Sequence, residues 1–169
     1  MKLKRIVKEN VKYLLSGIEL VACLLAPFLI FMLSQYAFEG YLDSYSFGVI
    51  IVNYAIIACV MYTLFAFSNS LKFSIATTGI FFLGFSIINY FVAAYRGTPI
   101  LPWDIIAYKT ALNVAKSYSF KPTVNIVVAS ILMAAFLILI FKLLPKRKFL
   151  SKNSMVIRTI SLLVVIGLF

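Results

Sequence analysis

The side chains able to do chemistry gather in one stretch. Arg96, Trp103, Asp104, Lys109 and Lys116 follow one another between residues 96 and 122, with Lys121 behind them. An arginine fork matches a phosphate in plane and hydrogen-bond spacing, and lysines add compact point charges. The chemistry on offer is therefore recognition of an anionic, phosphate-bearing lipid headgroup, not the making or breaking of bonds. Lys109 and Lys116 stand seven residues apart, on one side of a helix. They have a second reading as snorkelling side chains, their stems in lipid and their charges in water. Arg96 also has two readings. It can meet a phosphate, or it can pair with Asp104, which would equally suit the first turn of a helix facing the positive end of the dipole.

Little else in the chain is reactive. It contains no histidine, and its five acids (Glu9, Glu19, Glu39, Asp43 and Asp104) are scattered with no metal-like spacing. Cys23 and Cys59 sit in the middle of apolar runs and read as small buried hydrophobes. No catalytic residue, metal site or cofactor is expected within these residues.

The headgroup-binding candidates must be positioned by the backbone around them. Arg96-Gly97-Thr98-Pro99 closes an apolar helix: Gly97 can adopt a left-handed cap and Pro99 cannot continue the helix. Pro102 restricts Leu101 to an extended conformation and suits the first position of a new helix. Gly97, Pro99 and Pro102 thus form a structural hinge. The new helix would run from about residue 102 to 117, with Leu101, Ile105, Tyr108, Leu112 and Ala115 recurring at helical spacing. Thr110, Asn113 and Ser117 occupy the other side, but so do Trp103 and Ile106. This helix is too short to span a bilayer, so the segment 96–122 is expected to lie at the interface or partly back in the bundle.

The elements on either side are apolar. The chain is 63% hydrophobic and 12% charged, whereas a soluble domain carries about a quarter charged residues. A hydrocarbon core needs roughly 20 apolar helical residues, and runs at 14–36, 47–67, 73–95 and 123–144 satisfy this. A fifth run, 155–169, stops at Phe169, which would leave a carboxylate inside the bilayer. That predicts a natural polypeptide that continues outward. Lipid leaves the backbone no hydrogen-bond partner but itself, so the runs should be helices. The expected fold is all-α and integral to the membrane: four complete transmembrane helices, a truncated fifth, and an interfacial helix between spans three and four. Residues 1–13 form a basic tail and 14–169 the membrane domain.

Lysine and arginine counts set the orientation. The tail carries five, the turn 68–72 one and the stretch 142–158 six, against none in 37–46 and four in 96–122. The positive-inside rule places the N-terminus in the cytoplasm of a multi-pass plasma-membrane protein and directs the C-terminus outward. A net charge of +11 arranged this way signals topology and lipid contact, not nucleic acid. Tyr36, Tyr41, Tyr45, Tyr90, Tyr95, Trp103, Tyr108 and Tyr118 form an outer aromatic belt. Span three, rich in small residues from Ser74 to Ser86, is expected at the centre of the bundle. Asn53, Asn89 and Asn125 suit hydrogen bonds between helices, and Glu19 suits pairing with a lysine such as Lys12, or snorkelling.

The run Asn89-Tyr90-Phe91, then Arg96-Gly97-Thr98-Pro99-Ile100-Leu101-Pro102-Trp103-Asp104, with Ala111-Leu112-Asn113-Val114-Ala115 downstream, resembles the membrane region of lipoteichoic acid synthases. These are phosphoglycerol transferases of the alkaline phosphatase, sulfatase-like superfamily in Gram-positive bacteria. The resemblance implies five spans ahead of a large extracellular catalytic domain. It implies a threonine nucleophile and a manganese ion in that domain, which these residues do not include. It further implies membrane lipids, phosphatidylglycerol among them, and cell-envelope synthesis proteins as partners. On this reading the chain anchors the enzyme and guides headgroups, and is inactive alone. The alternative is a small non-enzymatic membrane protein that binds lipids or assists cell-envelope enzymes.

Overall fold

A computed structural model describes residues 2–39, 46–101, 104 and 121–144, with side chains from Gly17 onward. Four helices account for nearly all of them: α1 Lys2–Glu39, α2 Phe47–Ser68, α3 Leu71–Arg96 and α4 Val124–Leu143. No strand occurs among the described residues. All four are long and apolar enough to cross a bilayer, α1 through its Gly17–Glu39 portion. They coincide with the four complete runs to within a few residues, except that α1 begins at Lys2. The basic tail is thus continuous helix with the first span. The expected fifth span at 155–169 and residues 105–120 of the interfacial segment lie outside the described residues.

The helices pack as a diamond. α1 and α3 form the central pair and each touches all of the others, while α2 and α4 flank them. The expectation for span three is met, but only part of its small-residue stretch is responsible. Ser74, Thr78 and Gly79 are buried, whereas Gly84 and Ser86 are not. Gly79 marks the closest approach: a Cβ built there would stand 3.2 Å from Met133 Sδ and 3.7 Å from Ile30 Cγ1. In a bilayer, where lipid tails are as apolar as leucine, such close packing is a main source of helix association. Ile30, Met61, Ile75 and Met133, one or more from each helix, fill the centre.

Pro27 sets the second feature of the packing. It lies inside α1 and is fully buried. Without an N–H it cannot bond the carbonyl four residues earlier, and its ring crowds that turn. That carbonyl belongs to Cys23, and Tyr62 of α2 donates its hydroxyl to it at 2.9 Å. One residue on, the Leu24 carbonyl accepts from Tyr54 at 3.1 Å. Two tyrosines on α2 thereby serve the backbone at the proline turn, the usual way a membrane helix tolerates proline.

The remaining polar groups close the ends. At the turn between α2 and α3, Asn69 takes a left-handed conformation (φ 55°) and its N–H bonds Phe65 O. Asparagine is among the few residues with side chains that adopt this conformation readily. Ser70 caps α3 by accepting from Phe73 N. Lys72 was counted above among the loop charges that set topology, but it is only 9% exposed. Its ammonium donates to Phe141 O at 2.7 Å and lies 5.8 Å from the Phe141 ring centroid. A cation there answers the unpaired carbonyls and negative dipole of the α4 C-terminus. At the opposite end Thr123, which opens α4, donates to the Tyr90 hydroxyl at 2.6 Å. α3 and α4 are therefore antiparallel and pinned at both ends. Asn53 bonds Val49 O within its own helix, not a neighbour. Glu19 is buried at 5% exposure, which rules out snorkelling.

Two outcomes follow for stability. Tyr62→Phe is expected to cost about 1 kcal/mol, near the upper half of measured interhelical bonds in bilayers. In a Pro27→Ala background, where residue 27 again supplies an N–H, the same change should cost clearly less. A double-mutant cycle by unfolding in mixed micelles measures the difference. Gly79→Leu should disrupt the α1–α3–α4 contact, while Gly84→Ala, with nothing within 4 Å of its added Cβ, should not.

Candidate functional site

The loop after α3 is folded on itself by a set of short bonds. Gly97 has φ +77° and its N–H returns to Ala93 O at 2.8 Å, so the helix stops in a left-handed cap as the sequence predicts. Arg96, the last residue of α3, then reaches over the turn it precedes. Its Nε donates to Thr98 Oγ1 at 2.9 Å, one terminal nitrogen to Pro99 O at 3.1 Å, and the other to Asp104 Oδ1 at 2.6 Å. Asn89, two turns back in α3, accepts the Ile100 N–H at 2.7 Å and fastens the extended strand of the loop to its own helix.

Asp104 serves two groups at once. One carboxylate oxygen meets Arg96; the other accepts the Leu101 N–H at 2.7 Å, while Asp104 N–H donates to Leu101 O at 2.9 Å. The side-chain bond to Leu101 N–H and the backbone turn back to Leu101 O close a tight local turn at Leu101–Asp104. Asp104 is thus the ion-pair partner that orients Arg96; the helix whose first turn it was expected to occupy lies outside the described residues. Its carboxyl sits below the usual carboxylate range, first because the Arg96 guanidinium donates to it, then because of the Leu101 N–H.

The arginine is not used up. A guanidinium has five N–H bonds, and three are committed within the loop, leaving one on each terminal nitrogen without a partner among the described residues. The side chain is 42% exposed and that of Asp104 23%. What the loop presents is a planar cation held in a fixed orientation at a helix end, with two donors to spare. That arrangement can receive one oxyanion and can do no covalent chemistry.

Of the residues singled out from the sequence, Arg96, Gly97, Pro99 and Asp104 are brought together here. Pro102, Trp103, Lys109 and Lys116 lie outside the described residues. Thr98 and Asn89 were not read as loop fasteners. The signal was present: a hydroxyl two residues after an arginine, and an amide two turns before a glycine cap. Tyr90, assigned to the aromatic belt, also accepts from Thr123, the cap residue of α4. Lys121 is exposed near that junction. Among the described residues no cluster of histidine, cysteine or acid side chains could hold a metal ion, and both cysteines are free thiols.

Fold and loop together define a multi-pass α-helical membrane protein with an ordered arginine at one end of its bundle. No family model, no curated protein and no solved structure matches the chain.

The bonds of Asp104 give a signed pH dependence. Its pKa is lower in the folded loop than in an unfolded chain, so its contribution is complete above the ordinary carboxylate range and is lost as pH falls through the lower, folded value. Hydrogen-exchange protection at Leu101 and Ile100 should be constant from neutral pH down to about 4 and fall below it. In Asp104→Asn the fall should be absent.

Proposed function

We propose that this chain is the membrane domain of a lipoteichoic acid synthase-like phosphoglycerol transferase. It anchors an extracellular sulfatase-like domain and presents anionic headgroups, phosphatidylglycerol foremost, at the loop that follows α3. The observation that carries the reading is the geometry of Arg96, oriented by Thr98, Pro99 and Asp104 with two N–H bonds uncommitted. The polar residues of the motif that suggested the family, Asn89, Arg96, Thr98 and Asp104, all bond within this one loop, which explains their spacing as a fold element.

In this reading the N-terminus is cytoplasmic and the loop faces outward, as the lysine and arginine counts favour. Catalysis, the threonine nucleophile and manganese belong to the exterior domain of that family. The membrane domain contributes position: it holds a headgroup phosphate near the bilayer surface, so that a second site need not search for it.

Topology is tested by Thr98→Cys, with the native Cys23 and Cys59 changed to alanine. A membrane-impermeant maleimide added to intact cells should label it, and labelling only after lysis would sink the orientation. Function is tested by fusing residues 1–169 to the exterior domain of a polymerising phosphoglycerol transferase. Polymer synthesis is expected, and Arg96→Gln should reduce it several-fold. A fusion that stays inactive while the chain still binds phosphatidylglycerol would favour the non-enzymatic lipid-binding alternative.

A further inference from the structure

The Asp104 carboxylate is itself an oxyanion bound to the Arg96 guanidinium. Two N–H donors, one from the Arg96 guanidinium and one from the Leu101 backbone, converge on its two oxygens at 2.6 and 2.7 Å. Paired donors of this kind, a guanidinium and a main-chain amide, are also what hold a phosphate. The loop therefore carries an anion site with an anion of its own already in it.

We propose that Asp104 is an internal competitor that holds the Arg96 site in a weakened state, so that a phosphate monoester or diester meets a guanidinium already partly neutralised, and binds beside the carboxylate through the remaining N–H bonds or in its place. The inference rests on the headgroup reading above and adds to it the regulation of that site. Three observations support competition over simple scaffolding. Arg96 is already oriented by Thr98 and Pro99, so its fork keeps two internal fasteners when Asp104 is taken away. The pair is solvent-accessible on both sides, 42% and 23%, so a soluble or lipid-borne anion can reach it. And neutralising the arginine works against attraction of anions, which a purely structural lock could have avoided with an uncharged acceptor.

The two duties of Asp104 can be separated. Asp104→Asn keeps a side-chain oxygen to accept from Leu101 N–H and so keeps the local turn, but removes the competing charge. The chain's single tryptophan, Trp103, is adjacent in sequence and reports binding. In phosphatidylcholine nanodiscs, dibrominated phosphatidylglycerol is titrated as a quencher of Trp103 fluorescence, and inorganic phosphate is titrated separately in the aqueous phase.

Asp104→Asn should bind brominated phosphatidylglycerol at least about threefold more tightly than the native chain, the order expected on removing one exposed charge pair. Arg96→Gln, and Arg96→Gln with Asp104→Asn, should abolish the preference over brominated phosphatidylcholine. A tighter response to phosphatidylglycerol alone identifies a lipid headgroup as the ligand, and a parallel response to inorganic phosphate identifies the free anion. Native binding with no gain in Asp104→Asn would overturn the competitor role and leave the headgroup reading standing. Binding that appears only in Asp104→Asn supports it in its strongest form. No selective binding by either protein overturns both.

Discussion

A bilayer interior supplies no water to complete a hydrogen bond, and every main-chain group inside it must find its partner in protein. In this chain that requirement is concentrated at Pro27. A proline in mid-helix costs about 3 kcal/mol or more in a soluble setting, because a carbonyl loses its donor and the ring crowds the preceding turn. Here the Cys23 carbonyl is met by the Tyr62 hydroxyl and the Leu24 carbonyl by Tyr54. The tyrosines can reach only if α2 lies against the side of α1 from which the proline removed the bond. The rotation of α1 about its axis and its depth beside α2 are thereby fixed together. With α1 so placed, Ile30 comes against Gly79 and Met133, and the three-helix contact follows.

The same accounting governs the ends of the bundle. Lys72 completes the Phe141 carbonyl where α4 runs out, and Thr123 and Tyr90 satisfy one another where α4 begins. Three short hydroxyls return to carbonyls four residues back along their own helices: Thr63 to Cys59 O, Ser130 to Ile126 O and Ser74 to Ser70 O. Because α3 is pinned at both ends and packed at Gly79, its last residue is well placed in space. Arg96 inherits that placement. A headgroup site on a freely swinging arm would lose much of its affinity to ordering; one built on the end of a clamped helix loses less.

Much of this was legible in the sequence, and the reason is periodicity and composition. Long apolar runs have one outcome in lipid, so four helices could be read, with limits within a few residues except where α1 runs back to Lys2. Gly97 carries a backbone freedom that acts whatever surrounds it, so the left-handed stop of α3 was readable too. Pairing between distant elements was not. Lys72 resembled any loop cation until α4 was laid beside it, and nothing near Tyr62 in sequence points to Cys23, thirty-nine positions earlier. Pro27 was the available clue. A proline amid an apolar run announces an unserved carbonyl, and a tyrosine buried in a neighbouring run is a candidate donor. Glu19 was open to two readings, pairing with a lysine such as Lys12 or snorkelling, and only the packing, which leaves it 5% exposed, argues against the second.

The choice of arginine at position 96 is explained by the shape of the loop more than by charge. Thr98 Oγ1, Pro99 O and Asp104 Oδ1 approach three different nitrogens of one flat group. A lysine ammonium has three donors but on a single atom, and cannot meet acceptors spread along a plane. With lysine the loop could keep the ion pair or the turn, but not both. Five N–H bonds on that flat group, three of them committed, leave two with no partner among the described residues. Fold and recognition are thus served by one group through different hydrogens. Asp104 divides its two oxygens in the same way, one for the Leu101 N–H and one for the arginine. The turn that ends α3, the extended run to Leu101 and the exposed cation are in this manner joined by a single ion pair.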